Sequence, residues 1–253
     1  MKISIVTAVY NRANTLGDAI VSVNSQDFPN IEHVIQDGGS SDGSLGVIAQ
    51  FSDPGIKVQS EPDGGIYDAI NKGITRSTGE VIGLLHSDDF LPAEDVVGKI
   101  ARAFSDPNVE GVYGDLQYVS ASDPRRVVRH WTAGVYSPHL LKRGWMPPHP
   151  TLYLRREVFE KFGLYDTSFS IAADYDAMLR YLAHGKIKLA YIPEVLVKMR
   201  LGGESNRSFE RIVRKSREDL RAIRKNGVGG IGTLAAKNFS KLRQFIVKDK
   251  TVK

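Results

Sequence analysis

The sequence has no cysteine among its 253 residues. Structural disulfides and cysteine-based zinc sites are therefore excluded, and a reducing compartment is compatible with the composition. No uncharged apolar run approaches the length of a membrane span. The first residues, MKISIVTAVYNR, lack the length and the small-residue cleavage site of a signal peptide, so we interpret them as a first β-strand. We therefore expect a cytoplasmic protein.

Two familiar phosphate-binding motifs are also missing. The chain has no G-x-x-x-x-G-K-[ST] sequence, and no G-x-G-x-x-G sequence opens the first predicted helix. These absences disfavour both a P-loop ATPase and an NAD-type dehydrogenase.

The first third of the chain alternates short apolar strands with segments of helical periodicity. The order of these patterns is β-α-β-α-β-α-β, which predicts a parallel sheet covered by helices on both faces. Ligands of such sheets bind beyond the carboxyl ends of the strands. The polar clusters of this region follow the predicted strands: AVYNR, DGGSSDG, SEPDGG and HSDD. In the second half, KIKLAYIP and VLVKMR are predicted as two separate strands.

Two adjacent carboxylates, Asp88 and Asp89, end the apolar run GLLHSDDFLP. Their mutual repulsion would be relieved by a hard divalent cation such as Mg²⁺ or Mn²⁺, which prefers oxygen ligands. The alternative is that the pair caps the helix that follows, because aspartate is favoured at helix starts. On these two residues alone the metal and the capping hypotheses are equally favoured.

Taken together, the motifs resemble those of family 2 glycosyltransferases. TAVYN, DGGSSDGS, SEPDGGIYDAINKGI, GLLHSDD and ADYD occur in the order and approximate spacing of that family, over roughly residues 1–202. The resemblance implies an α/β protein of the GT-A fold, with a single Rossmann-like, mostly parallel sheet flanked by helices. It implies a catalytic domain over 1–205, with a nucleotide-sugar half (1–115) and an acceptor half (116–205).

The resemblance also implies roles for individual residues. Asp37 would accept a hydrogen bond from the nucleotide base, Asp89 would bind the metal, and Asp174 would be the catalytic base. The other residues implied to bind the nucleotide-sugar are Thr7, Ala8, Tyr10, Asp63, Gly64, Gly65, Tyr67, Asp68, Asn71, Lys72 and Asp88. The residue before the catalytic aspartate is usually glutamate in the family, whereas here it is Ala173.

The chemistry of sugar transfer agrees with these roles. A carboxylate can take the proton of the acceptor hydroxyl, and a cation can neutralise the charge that develops on the nucleoside diphosphate. A single base opposite the leaving group predicts inversion at the anomeric carbon. Asp176 lies two residues after Asp174, so on a helix the two side chains point to different faces. The Q-x-x-R-W motif of processive synthases is absent, which disfavours polymer extrusion.

The acceptor side is less sharply defined. His149 in PPHPT is either a structural loop residue or a residue near the phosphates or the acceptor, and Trp145 either flanks the acceptor or belongs to the core. We expect a UDP-linked donor and a glycan or lipid-linked acceptor in polysaccharide or glycolipid assembly. The alternatives are a catalytically silent nucleotide-sugar-binding or scaffold relative and a nucleotidyltransferase, whose G-x-G-T-R-type loop is absent after the first strand.

The C-terminal segment over 206–253 is predicted as a basic amphipathic helical appendage. From Arg207 onward the chain has 14 basic and 4 acidic residues, although the whole chain carries only +5. Its two apolar stripes pack on the catalytic body or bind an anionic membrane, with membrane contact favoured for the second helix. We expect no nucleic-acid partner, because the segment lacks interleaved aromatic residues and the body is acidic. The first stripe comprises Phe209, Ile212, Val213, Leu220 and Ile223, and the second Leu234, Phe239, Leu242, Phe245 and Ile246.

Overall fold

A computed structural model describes residues 1–51, 53–201 and 209–246, and the side chains of these residues except 209 and 240–246. The strands are β1 (Ile3–Val9), β2 (Ile31–Asp37), β3 (Ile56–Ser60), β4 (Val81–Leu84), β5 (Gly111–Val119), β6 (Val127–Trp131), β7 (Tyr153–Arg155) and β8 (Leu189–Arg200). The α-helices are α1 (Ala13–Asn24), α2 (Ser44–Ile48), α3 (Ile66–Arg76), α4 (Val96–Ala103), α5 (Arg156–Phe162), α6 (Ala173–Leu179), α7 (Phe209–Lys225) and α8 (Ile231–Ile246).

The strands form one mixed sheet with the order β3-β2-β1-β4-β7-β5-β6, and β8 pairs with β5. β1 is parallel to both β2 and β4, and β2 is parallel to β3, as the alternating pattern predicts. β7 is antiparallel to its neighbours β4 and β5. The inserted strand joins the parallel N-terminal part of the sheet to the β5–β8 pair. The predicted division of the domain after residue 115 falls inside β5, so both halves share this sheet.

Helices cover both faces of the sheet because β1 is apolar on both sides. Ile3 and Ile5 pack with Ala19 of α1 on one face. Val6 packs with Ile70 of α3 on the other face, as the two-residue period of a strand requires. At Gly73 in α3, an added Cβ would lie 2.4 Å from Cγ1 of Val6. Glycine at this position therefore lets α3 approach β1 closely.

The two strands predicted over 186–193 and 195–200 are in fact one strand, β8. Gly114 pairs with Ile192 and Asp115 with Val195, so the register shift leaves Pro193 and Glu194 unpaired with β5. A bulge accommodates the proline because it leaves the missing N–H outside the ladder. The break seen in the sequence is thus a bulge and not a loop.

Both C-terminal helices contribute to the core of the catalytic body. Ala222 and Ile223 of α7 are fully buried in the cluster that contains α6. The buried face also includes the polar residues Asp219 and Asn226, whereas the predicted stripe residue Ile212 is half exposed. In α8, Leu234 packs against the same cluster and Phe239 is exposed. The predicted domain boundary at residue 205 and the side chains of Leu242, Phe245 and Ile246 lie outside the described part.

The described residues contain no helix that is both long and apolar enough to cross a membrane.

Candidate active site

The carboxyl ends of β1, β2 and β4 meet at one edge of the sheet, and the predicted polar clusters lie there. Val9 at the end of β1 pairs with Asp37 at the end of β2. β4 runs parallel to β1 on its other side and leads directly into His86 and Asp88. The sheet order therefore brings together loops that are far apart in the sequence.

Asp37 is fully buried, and its two carboxylate oxygens have different environments. Oδ2 accepts hydrogen bonds from the N–H groups of Gly39 and Ser40, both at 3.0 Å, and from the Ser60 hydroxyl at 2.6 Å. Burial alone would raise the pKa of Asp37, but these hydrogen bonds lower it. Oδ1 has no partner among the described residues. A buried, ionised oxygen without a donor is suited to an N–H group of a ligand.

The loop after β2 also fixes the start of α1. The Ala13 N–H donates to Asp42 at 2.9 Å, and the Ser41 N–H donates to the Asn11 side chain at 2.9 Å. Tyr10, at the end of β1, is 62% exposed and lies at the rim, while Ala8 is half-buried. Thr7 is fully buried, and its hydroxyl is hydrogen-bonded to His33 at 2.9 Å. The hydroxyl of Thr7, one of the predicted base contacts, is therefore already hydrogen-bonded inside the sheet.

The loop before α3 approaches Asp37 from the other side. The Asp63 side chain lies against Gly38, where an added Cβ would be 2.3 Å from its carboxylate oxygen. The Gly65 N–H donates to Asp63 at 2.8 Å, and the Gly64 N–H donates to Asp68 at 2.9 Å. Gly65 itself has φ 115°, a conformation that favours glycine.

Two predicted nucleotide contacts on α3 are engaged in holding neighbouring backbone. The Asn71 amide donates to the Tyr165 carbonyl at 2.8 Å and accepts from the Tyr165 N–H at 3.0 Å. Lys72 donates to the Pro62 carbonyl at 3.0 Å and pairs with Asp68 at 3.4 Å. In this structure both side chains support the walls of the site.

The environments of Asp88 and Asp89 differ sharply. Asp89 has no exposed surface, and its Oδ1 accepts a hydrogen bond from the Arg200 N–H at 3.2 Å. Burial first, and the charge of Asp88 second, raise the pKa of Asp89 well above its usual range. Asp88 is half-buried, and its carbonyl accepts from the Arg200 guanidinium at 2.9 Å. The exposure thus favours Asp88 as the carboxylate that a bound ligand can reach.

Neither carboxylate caps α4, so the capping alternative is wrong. The helix begins at Val96, and its N-cap position is Asp95, six residues beyond Asp89.

Asp174 lies at the start of α6, in contact with α3. The Tyr67 hydroxyl donates to the Ile171 carbonyl at 2.7 Å and lies 3.3 Å from Asp174 Oδ1. Burial alone would raise the pKa of Asp174, but the nearby charges of His149 and Lys237 outweigh it and lower the pKa. Asp174 is therefore ionised at neutral pH, as a general base must be.

His86 links this carboxylate to the one at the end of β4. Burial lowers the pKa of His86, and the charges of both Asp88 and Asp174 act on it in the opposite direction. Its ring lies 6.1 Å from that of His149, which is hydrogen-bonded to the Tyr165 hydroxyl at 3.0 Å. Tyr165 in turn stacks on Tyr67 at 5.9 Å, so a series of packed rings joins the end of β4 to the surroundings of Asp174.

Asp176 points away from this cluster. Its side chain is fully buried, accepts a hydrogen bond from the Asn226 amide at 3.0 Å and pairs with Lys225 at 3.2 Å. The helical separation of Asp174 and Asp176 is therefore confirmed, since one faces α3 and the other faces α7.

Trp145 belongs to an aromatic cluster in the second half of the domain. Its ring stacks on Tyr136 at 5.1 Å and meets Tyr113 edge-on at 5.7 Å. Its indole N–H donates to the Ala133 carbonyl at 3.1 Å. Trp145 is half-buried, so part of this cluster is accessible.

A divalent cation would find only part of its coordination shell here. The described residues contain no group of three or more histidine or acidic side chains that could hold a metal ion. Asp88 offers an accessible carboxylate, and Oδ2 of Asp89 is buried without a partner among the described residues. These residues fit a cation that takes its remaining ligands from water and substrate phosphates, as Mg²⁺ commonly does.

Several residues that shape this site are not predicted from the sequence. Arg200 holds the turn with Asp88 and Asp89, yet it lies 111 residues after Asp89 and has no motif around it. His86 is part of the HSDD cluster, and its position beside two aspartates was the available signal. Glu218 and Lys237, on α7 and α8, approach the Asp174 segment from the C-terminal helices.

Comparison with known proteins gives consistent matches. Residues 4–173 match the sequence model described as glycosyl transferase family 2, which ends one residue before Asp174. An uncharacterized glycosyltransferase of Mycobacterium tuberculosis (strain CDC 1551 / Oshkosh) is 34% identical over 190 residues, covering 70% of this chain and 68% of the relative.

Two solved structures share the fold at low sequence identity. One is a mannosyltransferase of Pyrobaculum calidifontis in complex with GDP-Man and Mn²⁺, with a TM-score of 0.68 and 18% identity. The match covers 96% of this chain and 70% of the mannosyltransferase chain. The other is S. aureus TarS in complex with UDP-GlcNAc, with a TM-score of 0.69 and 16% identity. This match covers 90% of this chain and 66% of the TarS chain.

Proposed function

Since the chain belongs to glycosyltransferase family 2, we propose that it is an inverting, metal-dependent enzyme that transfers a sugar from a nucleotide-sugar to a hydroxyl group. It is a glycosyltransferase with the GT-A fold, as the sequence predicts. The donor, the acceptor, the cation and the roles of the residues below are our proposals.

One observation carries the proposal: a continuous series of contacts joins the end of β4 to Asp174. The ring of His86 lies 6.1 Å from that of His149, His149 is hydrogen-bonded to Tyr165, and Tyr165 stacks on Tyr67, whose hydroxyl lies 3.3 Å from Asp174 Oδ1. We infer that Asp88, at the end of β4, and the ionised Asp174 on α6 face the same space. Tyr67, from the helix that follows the Asp63 loop, touches Asp174 and connects this space to the predicted nucleotide side. This is the arrangement that sugar transfer needs, with a leaving group on one side and a base on the other.

In the proposed reaction, Asp174 takes the proton of the acceptor hydroxyl. The acceptor oxygen forms a bond to the anomeric carbon as the bond from that carbon to the diphosphate oxygen breaks. With one base and no second carboxylate as nucleophile, the configuration of the anomeric carbon inverts. The lowered pKa of Asp174 keeps it ready to accept the proton at neutral pH.

We propose that Asp88 holds the divalent cation, reversing the sequence-based assignment of the metal to Asp89. Asp88 is the more exposed of the two carboxylates, and Asp89 already accepts a hydrogen bond from the Arg200 N–H. Asp89 then supports the turn through Arg200. When bound, Mg²⁺ or Mn²⁺ would neutralise the charge that develops on the nucleoside diphosphate.

Asp37 is proposed to select the base through its unpartnered Oδ1. This ionised acceptor requires an N–H donor, which uracil offers at N3 and guanine at N1. Adenine and cytosine offer no ring N–H at that edge. The similar structures bind UDP-GlcNAc and GDP-Man, which supports a donor of this kind. We retain a UDP-linked sugar as the proposed donor.

The acceptor is proposed to be a glycan or a lipid-linked sugar in polysaccharide or glycolipid assembly. The half-buried Trp145, stacked on Tyr136, offers an aromatic face on which a sugar ring can lie. His149 is buried and its ring lies 6.1 Å from that of His86, so we place it on the wall between the acceptor and the phosphates.

The test is a donor screen. UDP-glucose, UDP-galactose, UDP-N-acetylglucosamine and GDP-mannose are incubated with the full chain and Mn²⁺ or Mg²⁺, and release of nucleoside diphosphate is measured. We expect hydrolysis of at least one UDP-sugar that stops when the cation is chelated. Hydrolysis that continues unchanged in chelator would contradict the metal role, and hydrolysis confined to GDP-mannose would contradict the UDP-linked donor.

A further inference from the structure

The segment that leads into Asp174 is held by one side chain of α7. Oε2 of Glu218 accepts hydrogen bonds from the N–H groups of Ile171 at 2.8 Å and Ala172 at 3.0 Å, and Oε1 accepts one from the Ser170 N–H at 3.2 Å. Three consecutive backbone donors thus converge on one carboxylate. Hydrogen bonds of this charge-assisted kind are stronger than neutral ones.

Glu218 is part of a row of contacts along one face of α7. Arg221 donates to the Ser168 hydroxyl at 2.7 Å, and Lys225 donates to Asp166 at 2.8 Å. Positions 218, 221 and 225 have the spacing of neighbouring residues on one helical face. The row therefore follows the loop from residue 166 to the start of α6.

The segment has few other means of holding its position. Ala172 and Ala173 have no polar side chain. From the opposite side, the Tyr67 hydroxyl donates to the Ile171 carbonyl at 2.7 Å. The peptide units that precede Asp174 are therefore fixed between α3 and α7, with Glu218 binding the N–H groups of residues 170–172.

We propose that Glu218 is a positioning residue for the reaction, acting through Asp174. By fixing residues 170–172, it sets where the carboxylate of Asp174 lies relative to the acceptor hydroxyl. It touches neither the donor nor the acceptor. The inference rests on the proposed role of Asp174 as the base, and it assigns part of the catalytic geometry to α7.

The test compares Glu218→Gln with Glu210→Gln, a matched change at an exposed position on the same helix. Turnover is measured as nucleoside diphosphate released from the donor that the screen shows to be hydrolysed fastest. Glutamine keeps the size of the side chain but loses its charge and one acceptor oxygen. We expect kcat to fall roughly tenfold or more in Glu218→Gln, with KM for the donor changed less than about twofold, because a small misplacement of a base is costly. Glu210→Gln should leave both unchanged.

A second comparison separates positioning from general destabilisation. Glu218→Gln is combined with Asp174→Asn, and the double variant is compared with Asp174→Asn alone. If Glu218 acts through Asp174, adding Glu218→Gln to Asp174→Asn should lower kcat by less than about twofold, because the base is already absent. Glu218→Asp should give an intermediate kcat, since it keeps the charge but shortens the reach.

The inference is overturned if Glu218→Gln and Glu210→Gln have the same kcat, or if Glu218→Gln lowers kcat equally with and without Asp174. A lower melting temperature with unchanged kcat per folded molecule would also overturn it. If Asp174→Asn itself keeps normal turnover, the proposed base fails. If Asp174→Asn is inactive and Glu218→Gln is normal, only the positioning role fails.

Discussion

At the scale of single residues, the two carboxylates at the end of β4 have unequal roles in this account. Asp88 is accessible, whereas Asp89 is enclosed beside Arg200. Their adjacency in the sequence conceals this difference, because a turn places consecutive side chains in different environments. Their proposed roles therefore follow from burial and not from the motif alone.

We expect Asp88→Asn to abolish the metal dependence of UDP binding. Removing the accessible carboxylate leaves the cation with too few protein ligands, so calorimetry with Mn²⁺ and with chelator should give the same weak affinity. Asp89→Asn is the matched change and should retain a stronger affinity with Mn²⁺. If instead Asp89→Asn loses the dependence and Asp88→Asn keeps it, the metal is bound as the sequence alone predicts.

Two buried histidines are expected to make the fold sensitive to acid. Burial lowers the pKa of His33 and of His149 to about 4, against an ordinary value of 6.5. Between these values the unfolded chain binds a proton that the native chain does not, so stability is full above pH 6.5 and falls towards pH 4. Each histidine can account for up to about 3 kcal/mol of this loss.

Urea unfolding at pH 7 and pH 4.5 measures this loss. Relative to the unchanged chain, His33→Gln should show a smaller loss of unfolding free energy between the two pH values. The exposed His139 offers the control, since His139→Gln should leave the loss unchanged. An unaltered loss in His33→Gln would contradict the assignment.

At the scale of elements, α7 and α8 are joined by a buried ion pair. Lys237 of α8 and Asp219 of α7 lie 2.6 Å apart, and each side chain is at most 3% exposed. The Lys237 ammonium also lies 3.2 Å from the centre of the Tyr175 ring, in α6. The pair therefore ties both C-terminal helices to the helix that carries Asp174.

We expect Asp219→Asn to lower the free energy of unfolding by about 3–5 kcal/mol, because it removes the carboxylate that pairs with the buried Lys237 charge. Replacing both residues, as in Asp219→Asn with Lys237→Met, should recover much of that loss. Thermal unfolding of the two variants provides the measurement. Equal stability of Asp219→Asn and the unchanged chain would show that the pair does not hold the helices.

The sequence predicts the elements better than it predicts their contacts. Short apolar runs and helical patterns locate β1 to β4 and α1 to α3, and polar loops at strand ends predict the edge where the site lies. The partners of Asn71 and Lys72 are not readable in this way, because a helical pattern does not specify what each polar side chain meets. Similarly, the charge of the C-terminal helices suggests a separate appendage, although Asp219 and Asn226 face the core.

At the scale of the whole molecule, the excess of basic residues after residue 206 still requires an explanation. Arg221 and Lys225 contact the body, whereas Lys248, Lys250 and Lys253 lie outside the described residues. We propose that the remaining charge attracts the enzyme to the inner face of an anionic membrane.

The full chain is expected to bind phosphatidylserine vesicles at low salt and to detach as salt is added. Lys248→Glu, Lys250→Glu and Lys253→Glu together should weaken sedimentation with the vesicles. Arg125→Glu with Arg126→Glu, in an exposed loop of the body, is the control for charge alone. If the full chain does not bind these vesicles, the C-terminal helices only stabilise the fold.

Asp174, and not Asp176, is the proposed general base. Asp174 faces Tyr67, while Asp176 is enclosed by Asn226 and Lys225. Asp174→Asn should therefore lower turnover roughly 10²-fold or more with donor affinity nearly intact. Asp176→Asn should keep near-normal turnover and lose about 1–3 kcal/mol of stability.

The most direct measurement is turnover of these two variants at saturating donor and acceptor, with donor affinity measured alongside. We expect an inactive Asp174→Asn that still binds donor, and an active Asp176→Asn that unfolds at a lower temperature. A nearly active Asp174→Asn together with an inactive, folded Asp176→Asn would contradict it.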